Sequence, residues 1–190
     1  ARASITGGYG NIASGNCSFV GGGYLGTASG GFSTIGGGQV NSASGYRSTV
    51  GGGQNSTASG TYSGVATGRY NCACGCYGAI AGGGFNTSCA YYSFVGGGGG
   101  NTASGQYSTV GGGSNNVASW TNSTVAGGNS NRACLVSGFV GGGSCNLAGY
   151  NYTTVSGGYK NCVITNTGGA VAGGFYNTVS GNYAFAAGYN

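Results

Sequence analysis

Histidine, aspartate, glutamate, proline and methionine are all absent from the 190 residues. General acid–base catalysis needs a side chain that carries a proton near neutral pH, usually His, Glu or Asp. A Ser or Cys nucleophile would lack a basic partner to activate it. Sites for hard cations lose their carboxylates. No enzyme and no cofactor is therefore expected. The absence of proline also excludes a collagen or polyproline bundle, which further needs glycine at every third residue. Long apolar runs are missing too, and nothing approaches the ~20 residues that span a bilayer. Cations are few: Arg2, Arg47, Arg69, Arg132 and Lys160. They are scattered, and the formal charge of +5 arises from missing acids. A nucleic-acid partner, which calls for clustered bases among stacking aromatics, is not expected. No charged start followed by an apolar core opens the chain, which reads as processed or as part of something longer.

What remains is small and polar. Glycine supplies 49 residues, serine 23, asparagine 19 and threonine 17, together 108 of 190. Such a composition suits disorder or silk, but periodicity argues otherwise. Val or Ile recurs every 15 residues: Ile5, Val20, Ile35, Val50, Val65, Ile80, Val95, Val110, Val125, Val140 and Val155. These two types fill 19 of 190 positions. Eleven hits in phase would arise by chance about once in 10¹¹, so the repeat governs the reading. Asn keeps the same phase six residues after the Val, Ala eight after, and Ser two before. Between Val155 and Val171 the spacing is 16, which predicts a bulge or a longer corner near residues 164–169.

Within a unit the pattern alternates with period two, the signature of strands. Each unit is expected to hold two strands of about five residues, punctuated by glycine corners where positive φ is needed. Short strands at a fixed spacing bury a core only by stacking into a solenoid. The fold expected is an all-β parallel β-solenoid, a β-roll or β-helix, of about twelve 15-residue rungs. One array without separate caps fills residues 1–190. At a rung spacing of ~4.8 Å the rod is about 60 Å long. Stacked Asn residues are expected to form side-chain amide ladders. The glycines are read as corner residues and not as a phosphate loop, since no G-x-x-x-x-G-K-[ST] occurs.

The clearest units are N-T-A-S-G-Q-Y-S-T-V-G-G-G-S-N from Asn101 and N-S-A-S-G-Y-R-S-T-V-G-G-G-Q-N from Asn41. They resemble the head repeats of YadA-like trimeric adhesins and the related repeats of phage and giant-virus fibre proteins. The resemblance covers essentially the whole chain and is clearest in residues 11–60 and 95–130. It implies a parallel β-roll, commonly trimeric, serving as stalk or head of an extracellular adhesive fibre. Against that family this chain is short of charge and rich in cysteine.

Of eight cysteines, Cys74 and Cys89 lie 15 apart, at one phase in adjacent rungs. Rung spacing falls within the reach of a disulfide, so a bond between them stands beside two free stacked thiols as the alternatives. The run Cys72-Ala73-Cys74-Gly75-Cys76 is not read as a metal site, because alternate strand residues sit ~6.6 Å apart. Asn-x-Ser/Thr sequons occur at Asn16, Asn55, Asn86, Asn122 and Asn151, about as many as chance supplies. An outward row precedes the Val: Thr34, Thr49, Thr109, Thr124 and Thr154, interrupted by Phe19, Phe94, Phe139, Gly64 and Ala79. A flat Thr lattice of this kind suits ice binding. A second row carries Phe32, Tyr62, Tyr77, Tyr92, Tyr107, Tyr152 and Tyr183. Its plain reading is packing against a neighbouring chain; the functional one is sugar stacking on exposed rings.

The expected function is a structural fibre or filament subunit, outside the cell or on a virion surface, with adhesion through multivalent display. The alternative is an ice-binding solenoid that uses the Thr row. The expected partners are the chain itself, as homotrimer or end-to-end filament, and cell-surface glycans or matrix.

Overall fold

A computed structural model describes residues 2–164 and 167–189. The chain winds into a series of stacked turns that builds two parallel sheets back to back, with 13 strands in one and 12 in the other among the described residues. Every strand pairs with its counterpart one turn away. Val95 stands opposite Val110 and Val110 opposite Val125, while on the other sheet Ala103 stands opposite Ala118. The expected solenoid of about twelve turns is the fold observed.

The strands are shorter than the alternation suggests. Most are two residues long, such as Thr102–Ala103 and Thr109–Val110. Two corners per turn consume the rest. At the first, Ser108 donates its backbone N–H to Gly105 O at 3.0 Å around Tyr107, whose φ is 56°. At the second, Asn115 has φ 55°. Glycine holds a positive φ once per turn, as the sequence suggested, at Gly38, Gly53, Gly113 and Gly128 among others, but side-chain-bearing residues, Tyr62, Tyr77, Phe85 and even Val40 among them, take further left-handed positions. Such conformations are costly for bulky residues unless the surroundings over-determine them. Here they reverse a peptide group. Thr49 donates forward to Ser63 O, whereas Arg47 donates back to Gly31 O at 2.8 Å. Each left-handed corner therefore ties its turn to the one behind it.

The interior is a thin double ladder. Val20, Ile35 and Val50 through Val155 lie fully buried on one sheet, which we call the valine sheet. Ala28, Ala43, Ala58, Ala73, Ala103, Ala118, Ala133 and Ala148 face them from the alanine sheet. Ile5 belongs to the ladder by register but is 44% exposed, with the turn of Val20 packed against it on one side among the described residues. The one-residue slip is real and falls where expected. Val155 pairs Val171 and Val163 pairs Val179, both 16 apart, so the extra residue lies in the corner at 164–169, of which residues 165 and 166 lie outside the described set.

Asparagine does more than stack. Asn116 is fully buried and donates through Nδ2 to Gly112 O and Gly128 O, each at 2.8 Å. Its Oδ1 accepts the backbone N–H of Asn131 at 2.9 Å. The same three bonds recur at Asn86, Asn101, Asn131 and Asn146. The expected side-chain amide ladder is thus replaced by side-chain-to-backbone bonds. The reason is that the glycine corner leaves two carbonyls and one N–H that a buried turn must satisfy. Among the described residues, only Asn177 donates to another side chain of the column, Asn161 Oδ1 at 3.0 Å.

Candidate interaction surfaces

A flattened solenoid presents two faces and two edges. On the valine-sheet face the outward residue of each strand is Phe19, Thr34, Thr49, Gly64, Ala79, Phe94, Thr109, Thr124, Phe139 and Thr154 in order. The Thr row thus points outward, but as two pairs and the single Thr154, separated by Phe or by missing side chains. Where Gly64 and Ala79 carry little, an apolar depression of about 320 Å³ opens between Thr49 and Phe94, floored by Gly51, Ala66 and Ala81.

The opposite face is more regular, and the sequence reading missed it. The residues either side of the inward Ala point outward, giving two columns over six turns. They read Thr27 and Ser29, Ser42 and Ser44, Thr57 and Ser59, Cys72 and Cys74, Thr87 and Cys89, Thr102 and Ser104. All twelve are Ser, Thr or Ser-sized Cys, with no charge, ring or glycine. The first column ends at Ile12 on one side and at Val117, Arg132 and Leu147 on the other, while the second runs on through Ser14 at one end and Ser119 and Cys134 at the other. The signal was present in the T-A-S triplets, whose first and third residues share a face when the Ala is buried.

The first edge carries the expected aromatic row. Tyr62 and Tyr77 stack at 5.0 Å and 3°, Tyr77 and Tyr92 at 4.6 Å and 13°, Tyr92 and Tyr107 at 5.6 Å and 8°. Phe32 joins through Tyr46, which meets both Phe32 and Tyr62 edge-on. Arg47 occupies the gap in the column, about 5.3–5.5 Å from the Phe32, Tyr46 and Tyr62 rings. Its guanidinium also donates to Tyr62 Oη at 3.1 Å. Tyr91 packs edge-on against Tyr92, Tyr77 and Tyr107, and a hydrogen bond with Tyr92 raises its pKa above the ordinary phenol value. Tyr152 and Tyr183 belong to the same column but stand apart from this strip, 61% and 80% exposed. Because the rings lie face to face along the rod, neighbours cover their faces and present hydroxyls and edges outward. Sugar stacking on ring faces, one sequence expectation, is confined by this geometry to the ends of the strip.

The second edge holds shorter clusters. Arg69 lies over Tyr70 and Phe85, themselves stacked at 5.0 Å. Lys160 lies over Tyr159 and Tyr176; hydrogen bonding to Tyr159 and the charge of its phenolate raise the lysine pKa.

Cys74 and Cys89 are neighbouring free thiols on the alanine-sheet face, with sulfurs 2.9 Å apart. Burial and contact with Cys74 push the Cys89 thiol up to about 12. Burial and the charge of Cys74 push Cys72 up to about 11. Among the sequons Asn86 is fully buried with its amide committed to Gly82 and Gly98, so it offers no glycosylation site. No helix among the described residues is long and apolar enough to cross a membrane. No protein family and no curated protein matches the chain.

Proposed function

We propose that this chain is a structural fibre subunit, working outside the cell or on a virion, whose main partner is a second copy of itself. The observation that carries the reading is the apolar relief of the valine-sheet face. Phe19, Phe94, Phe139 and Phe185 form ridges, and the depression between Thr49 and Phe94 is of a size to receive such a ring. Exposed apolar relief on a rigid sheet favours association. A rod of about 60 Å with a fixed rung spacing displays any edge group many times, so adhesion to glycans or matrix would rest on multivalency. Tyrosine hydroxyls and Arg47 would make those contacts. Electron microscopy and sedimentation of the native chain test the reading: slender trimeric rods or uniform filaments support it. Strictly monomeric particles at micromolar concentration overturn it.

A second reading, ice binding, moves from the valine sheet to the alanine sheet. The twelve-residue array of small hydroxyls and thiols is flat, uncharged and held rigid by the ladder behind it, so ordering water against it costs little conformational entropy. Thermal hysteresis measured on the chain, on Thr57→Tyr and on Thr109→Tyr separates the faces. Loss in Thr57→Tyr alone supports the alanine sheet; loss in Thr109→Tyr alone restores the original Thr row. No hysteresis in the unmodified chain ends both.

A further inference from the structure

The repeat distributes eight cysteines, and just one pair occupies matching positions of adjacent turns. Ala73 is in register with Ser88, which sets the following residues, Cys74 and Cys89, side by side on the outer face. Their sulfurs touch at 2.9 Å, and Cys89 is exposed to solvent. Cys72 and Cys76 share the strand and corner with Cys74, but Thr87 and Tyr91 stand at the places where their partners would be. The pair also sits within the hydroxyl columns, where Ser59 and Ser104 hold the same position as Cys74 and Cys89. Serine suffices there for the fold, so folding alone does not call for two thiols in contact.

We propose that Cys74 and Cys89 form a reversible disulfide clasp between two turns, set by exchange with a low-molecular-weight disulfide. One thiol of the pair loses its proton and attacks a sulfur of R–S–S–R, expelling R–S⁻ and leaving a mixed disulfide. The second thiol, deprotonated in turn, attacks the protein sulfur of that bond and expels another R–S⁻. Two electrons and two protons pass to the reagent, which leaves as two R–SH. The raised pKa of Cys89 slows attack by its sulfur at neutral pH and lets it accelerate in alkali, since the thiolate is the attacking species. Further turns stack on the clasp from both sides. A solenoid unravels by loss of neighbour contacts, so a bond between turns there stops fraying from passing. This inference stands apart from the fibre reading and needs neither oligomer nor ligand.

Chymotryptic mapping of the full chain after incubation with glutathione disulfide and alkylation of free thiols tests it. Cleavage after Tyr77 separates the peptide 71–77, which holds Cys72, Cys74 and Cys76, from the peptide 86–91, which holds Cys89. The expected result is these two peptides joined, two hydrogens lighter than their sum, and separated again by reduced glutathione. The link should persist in Cys72→Ser and Cys76→Ser and vanish in Cys74→Ser. Oxidation should raise the thermal midpoint of the unmodified chain by about 5 °C and leave that of Cys74→Ser unchanged. Recovery of Cys89 as the alkylated thiol, or a link that survives Cys74→Ser, overturns the assignment.

Discussion

The two halves of a turn solve the same packing problem by different chemistry. The valine half buries Val or Ile with a Ser beside it; at Ser18, Ser33, Ser48, Ser63 and Ser108 the hydroxyl is buried without a hydrogen-bond partner. The alanine half buries only a methyl group beside an Asn that makes three bonds, as at Asn116. One half is held by apolar contact and tolerates an orphaned hydroxyl. The other is held by hydrogen bonds and has almost no apolar area to lose. Their outer faces differ in parallel, with Phe relief on the valine side and, over six turns, a lattice of small hydroxyls and thiols on the alanine side. Inward positions answer to the neighbouring turn, which is the same everywhere, while outward positions answer only to solvent and partners.

The corner that joins the halves should break the fold most completely. A Cβ on Gly113, where φ is +88°, would lie 2.1 Å from Gly128 O, an atom of backbone that cannot move aside. Gly113→Ala should therefore abolish the β circular-dichroism signal or leave a fragmentary array. Gly112→Ala, where a Cβ meets nothing, should fold normally.

Next come the halves themselves. Asn116→Ala orphans two carbonyls and an N–H inside the turn and should cost about 3 kcal/mol in urea unfolding. Val110→Ala loses two methylene equivalents and leaves a small cavity, costing about 2 kcal/mol. A larger loss at Val110 than at Asn116 would reverse the contrast drawn between the halves.

The serines sharpen it at finer scale. Ser108→Ala removes a buried hydroxyl with no partner and should leave stability unchanged or raise it by up to about 1 kcal/mol. Ser123 donates to Trp120 O at 2.6 Å, so Ser123→Ala should cost about 1 kcal/mol by the same measurement.

The smallest effect is on pH. The thiols of Cys72 and Cys89 titrate near 11 and 12 in the folded chain against 9.0 when unfolded. Above pH 9 the unfolded chain binds fewer protons than the folded one, so stability falls as pH rises from 9 toward 12. In Cys72→Ser,Cys89→Ser that slope should flatten, while below pH 9 the reduced forms of both proteins should show the same thiol-linked pH dependence.

Much of this was legible in the residues. The 15-residue period of Val and Ile identified the ladder, the stacking and the longer corner at 164–169. The slip was visible because one inserted residue displaces every later ladder position. The alanine-sheet lattice was equally present in T-A-S but went unread, since its two columns emerge only when the Ala is known to be inward. Strand length was overestimated because alternation continues into corners, where Tyr107 and Asn115 adopt positive φ without any glycine to announce it.

The sequence by itself determined the repeat, the identity of the buried column and the two-sheet solenoid, because inward alternation and stacking period are written along the chain. Only the tertiary structure decided what residues 15 apart do to one another. It directed Asn116 onto backbone instead of onto its column neighbours, turned the Tyr62 to Tyr107 rings face to face so that their faces are covered, and brought Cys74 against Cys89. The physical reason is that these outcomes depend on peptide orientation and ring rotation across a gap of one rung, and composition and spacing specify neither.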